Sequence, residues 1–202
     1  MNASEKLQQI GKELYGDNFS LQDPNISDPY HKVFNRILLG LKKKKGNGSY
    51  FKSKGLFING GVGVGKTAMM RVMQRYFKDT GRRFRLVTAG ELRDMSETMT
   101  IAEIKAIYGA NLKCDLFIDD IGINVDVRRY GNTVNIISEI IYERYELYVA
   151  SGFKLHLTSN APPSLKDNPK NIPTIETIYG ARIFDRIKEM CELVVYTGKS
   201  LR

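Results

Sequence analysis

Residues 60 to 67 read Gly60-Gly61-Val62-Gly63-Val64-Gly65-Lys66-Thr67, a glycine-rich run closed by a lysine and a hydroxyl at the spacing GxxxxGK[ST]. The run follows a short apolar segment and opens a helical pattern, the context in which such a loop can hold phosphate. Its glycines let the backbone wrap closely enough for N–H groups to point at phosphate oxygens, and the helix N-terminus adds a positive dipole end. Lys66 is then placed to reach the β- and γ-phosphates, and Thr67 to ligate Mg²⁺. The chemistry is binding of a nucleoside triphosphate, with ATP and Mg²⁺ as the expected ligands.

Fifty-two residues after Thr67, the apolar run Leu116-Phe117-Ile118 ends in Asp119-Asp120. A buried strand that delivers carboxylates to a phosphate loop is the Walker B arrangement, in which Asp119 holds Mg²⁺ and Asp120 orients or deprotonates the attacking water. Asp120 is one methylene shorter than a glutamate, so slow hydrolysis is expected. A third run, Leu155-His156-Leu157, leads into Thr158-Ser159-Asn160, where Asn160 can contact the attacking water or the γ-phosphate. Arg182 and Arg186 stand four apart and share a helical face beside Ile183 and Ile187. A guanidinium on such a helix can reach a neighbouring subunit's phosphate or pair locally with Asp185 or Glu189. His31 and His156 stand alone, His156 as a packed residue, and Cys114 and Cys191 are too few for a disulfide framework and lack zinc-site spacing.

The elements that must position these groups alternate. Strands are expected at Gly55–Asn59, Phe84–Thr88, Cys114–Asp119, Lys154–Ser159 and Glu192–Tyr196. Helices are expected at Ser4–Tyr15, from Ser27-Asp28-Pro29 to about Lys44, at Lys66–Thr80, at Gly90–Tyr108 with a break near Thr100, at Arg128–Tyr148 and at Ile175–Met190. In the helix Arg128–Tyr148, Val134, Ile137, Ile141, Tyr145 and Tyr148 recur at helical spacing as one buried face. Strands alternating with helices imply a mostly parallel sheet covered on both sides.

Composition sets the outer bounds. The chain has 202 residues, 42% of them apolar and 26% charged, an ordinary globular balance. Its apolar runs do not exceed four residues, against the roughly 20 of a membrane span, and its first residues carry no export signal, so a cytoplasmic location is expected. The net charge is 31 − 22 = +9, and all of the excess lies in residues 1–110, since residues 111–202 hold twelve basic and twelve acidic side chains. A polyanionic partner, nucleic acid first, is one reading of this asymmetry, and lysines that keep a surface soluble are the other. Lys42–Lys45 read as a solvated helix end favoured by the helix dipole or as phosphate contacts, Arg82, Arg83 and Arg85 can add to the same field, and Tyr50, Phe51, Phe57 and Phe84 are either core residues or surfaces for stacking bases.

GGVGVGKT, LFIDDIG, LTSN and GARIFDRI, in this order over about residues 50–197, resemble the AAA+ ATPases of the DnaC-type helicase loaders and the IstB-type transposition ATPases. The resemblance implies a P-loop NTPase of AAA+ type, a three-layer α/β sandwich with strand order 5-1-4-3-2 and no C-terminal helical lid. A helical extension at 1–48 would precede an ATPase domain at 49–202. By motif match Lys66 and Thr67 take the Walker A roles, Asp119 and Asp120 the Walker B roles, and Asn160 that of sensor 1. Arg186 matches the finger arginine, with Arg182 a neighbouring phosphate or interface contact, and Gly90–Leu112 matches the extra helix that shapes a spiral. ATP-dependent assembly into a homo-oligomeric ring or spiral on single-stranded DNA follows, with a replicative helicase or a transposase as protein partner. The expected function is helicase loader or replication accessory ATPase. Alternatives are an IstB-like helper of a transposase, a P-loop small-molecule kinase and a non-hydrolysing adaptor.

Overall fold

The structure, a computed structural model, describes residues 2–21, 54–81, 83–122, 126–129, 132–164 and 172–196, with backbone alone at 126–129, 132 and 133. The expected helix ending near Lys44, the run Lys42–Lys45, His31, Tyr50, Phe51 and Arg82 lie outside the described residues.

Chain order is α1 (Ala3–Tyr15), β1 (Gly55–Gly60), α2 (Lys66–Asp79), β2 (Phe84–Thr88), α3 (Ala89–Thr98), α4 (Ile101–Tyr108), β3 (Asp115–Ile121), β4 (Asp126–Arg129), β5 (Asn132–Asn135), α5 (Ile136–Ser151), β6 (Leu155–Ser159), α6 (Ile175–Tyr179), α7 (Ala181–Met190) and β7 (Cys191–Tyr196). Five strands form one parallel sheet in the order β2-β3-β6-β1-β7, the arrangement 5-1-4-3-2 read from the other edge. Strand alternation sorts the core into two layers. Leu56, Ile58 and Phe117 face α1 and α2, packing with Leu7, Ile10, Met69, Met73 and Phe77. Phe57, Leu116, Ile118, Leu155 and Leu157 face the other helices, packing with Leu92, Ile104, Ile137, Ile141, Phe184 and Ile187. None of the helices is long and apolar enough to cross a membrane among the described residues.

Two helix expectations are corrected. The segment expected to start a helix at Arg128 is instead the antiparallel pair β4 and β5, with Arg129 paired to Asn132, and α5 begins only at Ile136. Asn135 sets that start, because its side chain accepts from the Ser138 N–H at 3.1 Å. Val134 therefore belongs to a strand, and the buried face of α5 runs through Ile136, Ile137, Ile140, Ile141, Arg144, Leu147 and Tyr148, with Tyr145 at its margin. The segment 175–190 is likewise two helices, broken at Gly180, whose φ of 84° lies outside helical space. The break near Thr100 is present, and Thr88 and Thr100 each form a capping box, with Glu91 and Glu103 respectively.

Two buried polar side chains fix the sheet away from the phosphate loop. Arg144 is fully enclosed and donates to the carbonyls of Leu112 at 2.7 Å, Cys114 at 2.7 Å and Lys154 at 3.3 Å, tying together the segments that enter β3 and β6. Burial lowers its pKa to about 10, so the guanidinium stays charged at neutral pH. His156, packed as expected, sits 5.6 Å from the Phe84 ring and accepts the Leu56 N–H at Nδ1 over 3.3 Å. Burial, helped by the charges of Lys154 and Arg144, pulls its pKa down to about 3. The unfolded chain takes up a proton near pH 6.5 while the folded chain does not, so stability is complete above pH 6.5 and falls as pH drops toward 3. From this group alone the loss is about 1.4 kcal/mol per pH unit, or about 2 kcal/mol between pH 6.5 and 5. Urea midpoints across that range test this, and His156→Gln, which keeps an acceptor for Leu56 but does not titrate, is expected to flatten the slope.

Candidate nucleotide site

The loop between β1 and α2 runs over the carboxyl end of the sheet. Gly63 and Gly65 hold φ near +84° and +83°, a left-handed backbone that any side chain would strain. Gly65 caps α2 without a side-chain acceptor, and the first turn of α2 carries no acid, so its leading N–H groups have no carboxylate competing for them. Val62 is the most exposed large apolar residue described, at 67%, and Val64 is buried, so the loop is anchored at Val64 and open at its crest.

Lys66 is only 7% exposed. Its ammonium donates to the carbonyls of Gly60 at 2.7 Å and Gly61 at 2.8 Å and to Asn160 Oδ1 at 2.6 Å. Asn160 in turn donates through Nδ2 to Asp120 Oδ1 at 2.6 Å. One amide thus joins the lysine of the loop to the second carboxylate of β3. Burial lowers the Lys66 pKa, opposed by the negative charges of Asp120 and then Asp119.

Local backbone geometry brings Asp120 to this place. It has φ of 61°, the only non-glycine residue with positive φ among those described, and the β3–β6 register slips between Ile118 and Ile121. Left-handed φ is tolerated best by aspartate and asparagine, yet still costs of order 1 kcal/mol, and such strain collects at functional sites. Thr158 holds the distortion: its hydroxyl accepts the Asp120 N–H at 2.9 Å and donates to Asp119 Oδ1. Asp119 stays buried at 4% exposure while Asp120 and Asn160 face solvent.

Several supporting residues escaped the sequence reading. Thr158 was visible in LTSN, but nothing in the string shows that it serves both aspartates. Asn59 donates to the carbonyls of Ser159 at 3.2 Å and Ala161 at 2.6 Å, fixing the loop that carries Asn160. Tyr179 accepts the Gly122 N–H at 2.8 Å, and a Cβ at Gly122 would come within 3.0 Å of Ser159 Oγ. The last residue of α1, Tyr15, meets Arg71; burial raises its pKa, the guanidinium opposes this, and the charge of Asp119 adds a smaller push.

Lys66, Asp119, Asp120 and Asn160 are therefore one connected group beside Gly60–Gly65. Arg182 and Arg186 are not part of it. Arg182 is exposed on the first turn of α7, and Arg186 lies against Tyr142, its guanidinium carbon 3.8 Å from the ring centre.

No family model matches the chain. It is 27% identical over 146 residues, 69% of its length, to the chromosomal replication initiator protein DnaA 1 of Protochlamydia amoebophila, of which it spans 30%. Among solved structures, DnaI superposes with a TM-score of 0.61 at 20% identity, covering 96% of this chain and 93% of that one. The DnaC helicase loader gives 0.54 at 18%, covering 96% and 99%. The chain has the fold of these structures, a five-stranded parallel sheet covered by helices. A DnaA initiator bound to AMPPCP and single-stranded DNA gives 0.55 at 18%, covering 91% of this chain and 51% of that one. These likenesses agree with the sheet order and with a glycine-rich loop at the carboxyl ends of the strands, where open α/β sheets place their ligands.

Proposed function

We propose that the protein is an AAA+ ATPase that binds ATP in the Gly60–Thr67 loop, assembles with copies of itself on single-stranded DNA, and acts in DNA replication as a helicase loader or accessory ATPase. The observation that carries this reading is the chain of contacts from Lys66 through Asn160 to Asp120, which couples the phosphate-binding lysine to the carboxylate best placed to meet water. The named DnaI, DnaC and DnaA structures support the replication setting, and residues 49–202 form the ATPase domain behind a helical extension at 1–48.

The residues fit both ligands. The glycine backbone at positions 60, 61, 63 and 65 and the free leading N–H groups of α2 suit a polyphosphate. Thr67 and Asp119 suit Mg²⁺, which takes one or two protein oxygens and completes its shell with water and phosphate. The metal supplies charge neutralisation at the phosphates. Lys66 adds a second positive charge, exchanging one of its present acceptors for a phosphate oxygen. Thr158 holds the Asp119 carboxylate by a hydrogen bond, limiting its rotation. Asp120 accepts the proton of an attacking water, and Asn160, already bonded to Asp120, orients that water by its amide. Arg186 of a neighbouring copy supplies the last positive charge at the γ-phosphate, with Arg182 at the interface between copies. A site completed by a neighbour makes the lone subunit a poor ATPase.

Arg71, Arg75, Lys78, Arg83, Arg85 and Arg93 are exposed and lie in the basic half of the chain, giving a surface for DNA phosphates. ATP turnover measured with and without single-stranded DNA tests the proposal, together with DNA affinity as a function of salt. We expect turnover to rise with DNA and log affinity to fall with log salt by about 0.7 per phosphate contact. Affinity that is flat in salt removes the electrostatic argument, phosphorylation of an added small acceptor favours a kinase, and absence of turnover under all conditions favours an adaptor. A pull-down with and without ATP then separates a replicative helicase from a transposase as partner.

A further inference from the structure

We infer that Tyr142, backed by Tyr145, is the positioning residue that holds Arg186 where it acts on a neighbouring copy; the inference rests on the trans role proposed above. The two tyrosines are three apart on α5, on one face. The Arg186 guanidinium lies 3.8 Å from the Tyr142 ring centre and 5.0 Å from that of Tyr145. Its helix is seated by Phe184 and Ile187, which join the same core as Ile137, Ile140 and Ile141 of α5. Tyr142 keeps 41% of its surface exposed, so a large aromatic side chain stands at the surface with a cation laid on it.

The carboxylates that could have claimed Arg186 are engaged elsewhere. Asp185 pairs with Lys188 at 2.6 Å, and Glu189 stands by the Tyr145 hydroxyl, whose pKa it raises. Among the described residues Arg186 makes no ion pair, and its Nη1 is buried with no hydrogen-bond partner. A carboxylate would fix the guanidinium and cancel its charge together. Aromatic faces fix its plane through the ring quadrupole and leave the positive charge available. A cation meant for another subunit's phosphate needs these two properties: a fixed plane and an uncancelled charge.

The test uses the full chain under assembling conditions and compares Tyr142→Ala, Tyr142→Leu and Tyr142→Phe with Arg186→Ala. Loss of the aromatic face is expected to lower kcat by roughly 3- to 30-fold, the range from an exposed to a desolvated cation–π contact, with the KM for ATP unchanged because ATP sits in the subunit's own loop. Tyr142→Phe should restore the rate. Mixing Tyr142→Ala with an excess of Lys66→Ala should raise turnover per intact phosphate loop toward the parental rate, since one copy brings the loop and the other an intact arginine on its tyrosine; such rescue also requires that Tyr142→Ala be folded. Tyr142→Leu repeats the measurement with the volume filled should the alanine variant lose its thermal transition. A parent-like kcat in both the Leu and Ala variants beside an inactive Arg186→Ala overturns the positioning role. A raised kcat overturns it too, by showing that the tyrosine withholds the arginine. A parent-like Arg186→Ala overturns the inference through the trans reading itself, and so distinguishes the two failures.

Discussion

Lys66→Ala is expected to lose tight ATP binding while keeping the fold. Contacts between a charged donor and an anion are worth about 1.5–3 kcal/mol each, so the loss of one ammonium should weaken binding by roughly 10- to 100-fold. The fold should survive because the ammonium reaches only two loop carbonyls and one exposed amide, Gly60, Gly61 and Asn160, and no core packing depends on it. Titration with a fluorescent ATP analogue, beside a thermal melt, measures both halves. Asp120→Asn separates the loop's two tasks. It keeps an oxygen for Asn160 Nδ2 and the same side-chain length, so binding should persist, but an amide cannot take the water's proton and turnover should vanish. Equal nucleotide affinity in Lys66→Ala and the parent chain would remove this loop from the site.

What the sequence made legible follows from how local the cause is. The glycine loop, the apolar strand closed by two aspartates and the strand β6 are each specified by adjacent residues, and the sheet they imply is the one observed. The segment that forms β4 and β5 carries a helical pattern, because Val134, Ile137 and Ile141 fall at helical spacing by chance, and only the punctuating Gly131 and the capping Asn135 mark the true start of α5. Gly180 breaks the next helix against a strong apolar period on both sides of it, which hides the break in the string. The rest of the site is not local at all. That Thr158 serves two aspartates 39 and 38 positions away, and that Asn59 pins the loop of Asn160, are consequences of strand adjacency. The left-handed turn at Asp120 is likewise invisible in LFIDDIG, since it arises from the slipped pairing with β6.

Arg186→Ala is expected to abolish assembled turnover, and the way it is rescued tells where the arginine acts. An arginine supplied to a transferring phosphoryl group in trans is worth about 10³ to 10⁵ in rate. Within this chain Arg186 lies on Tyr142 of α5, while the Lys66–Asn160–Asp120 group lies at the phosphate loop. Lys66→Ala and Arg186→Ala, each inactive alone, are therefore mixed at concentrations where they assemble. At a mixed interface the Arg186→Ala copy brings an intact phosphate loop and the Lys66→Ala copy an intact arginine, so one complete site forms and turnover returns. With random mixing at equal amounts, half of the interfaces of a ring join unlike copies, and only one of the two orders is complete, so about a quarter of parental turnover is expected if sites act independently. An arginine acting within its own chain gives no complete site in any mixture. Background turnover at every ratio, with co-assembly demonstrated by sedimentation, excludes the trans role and directs the same test to Arg182.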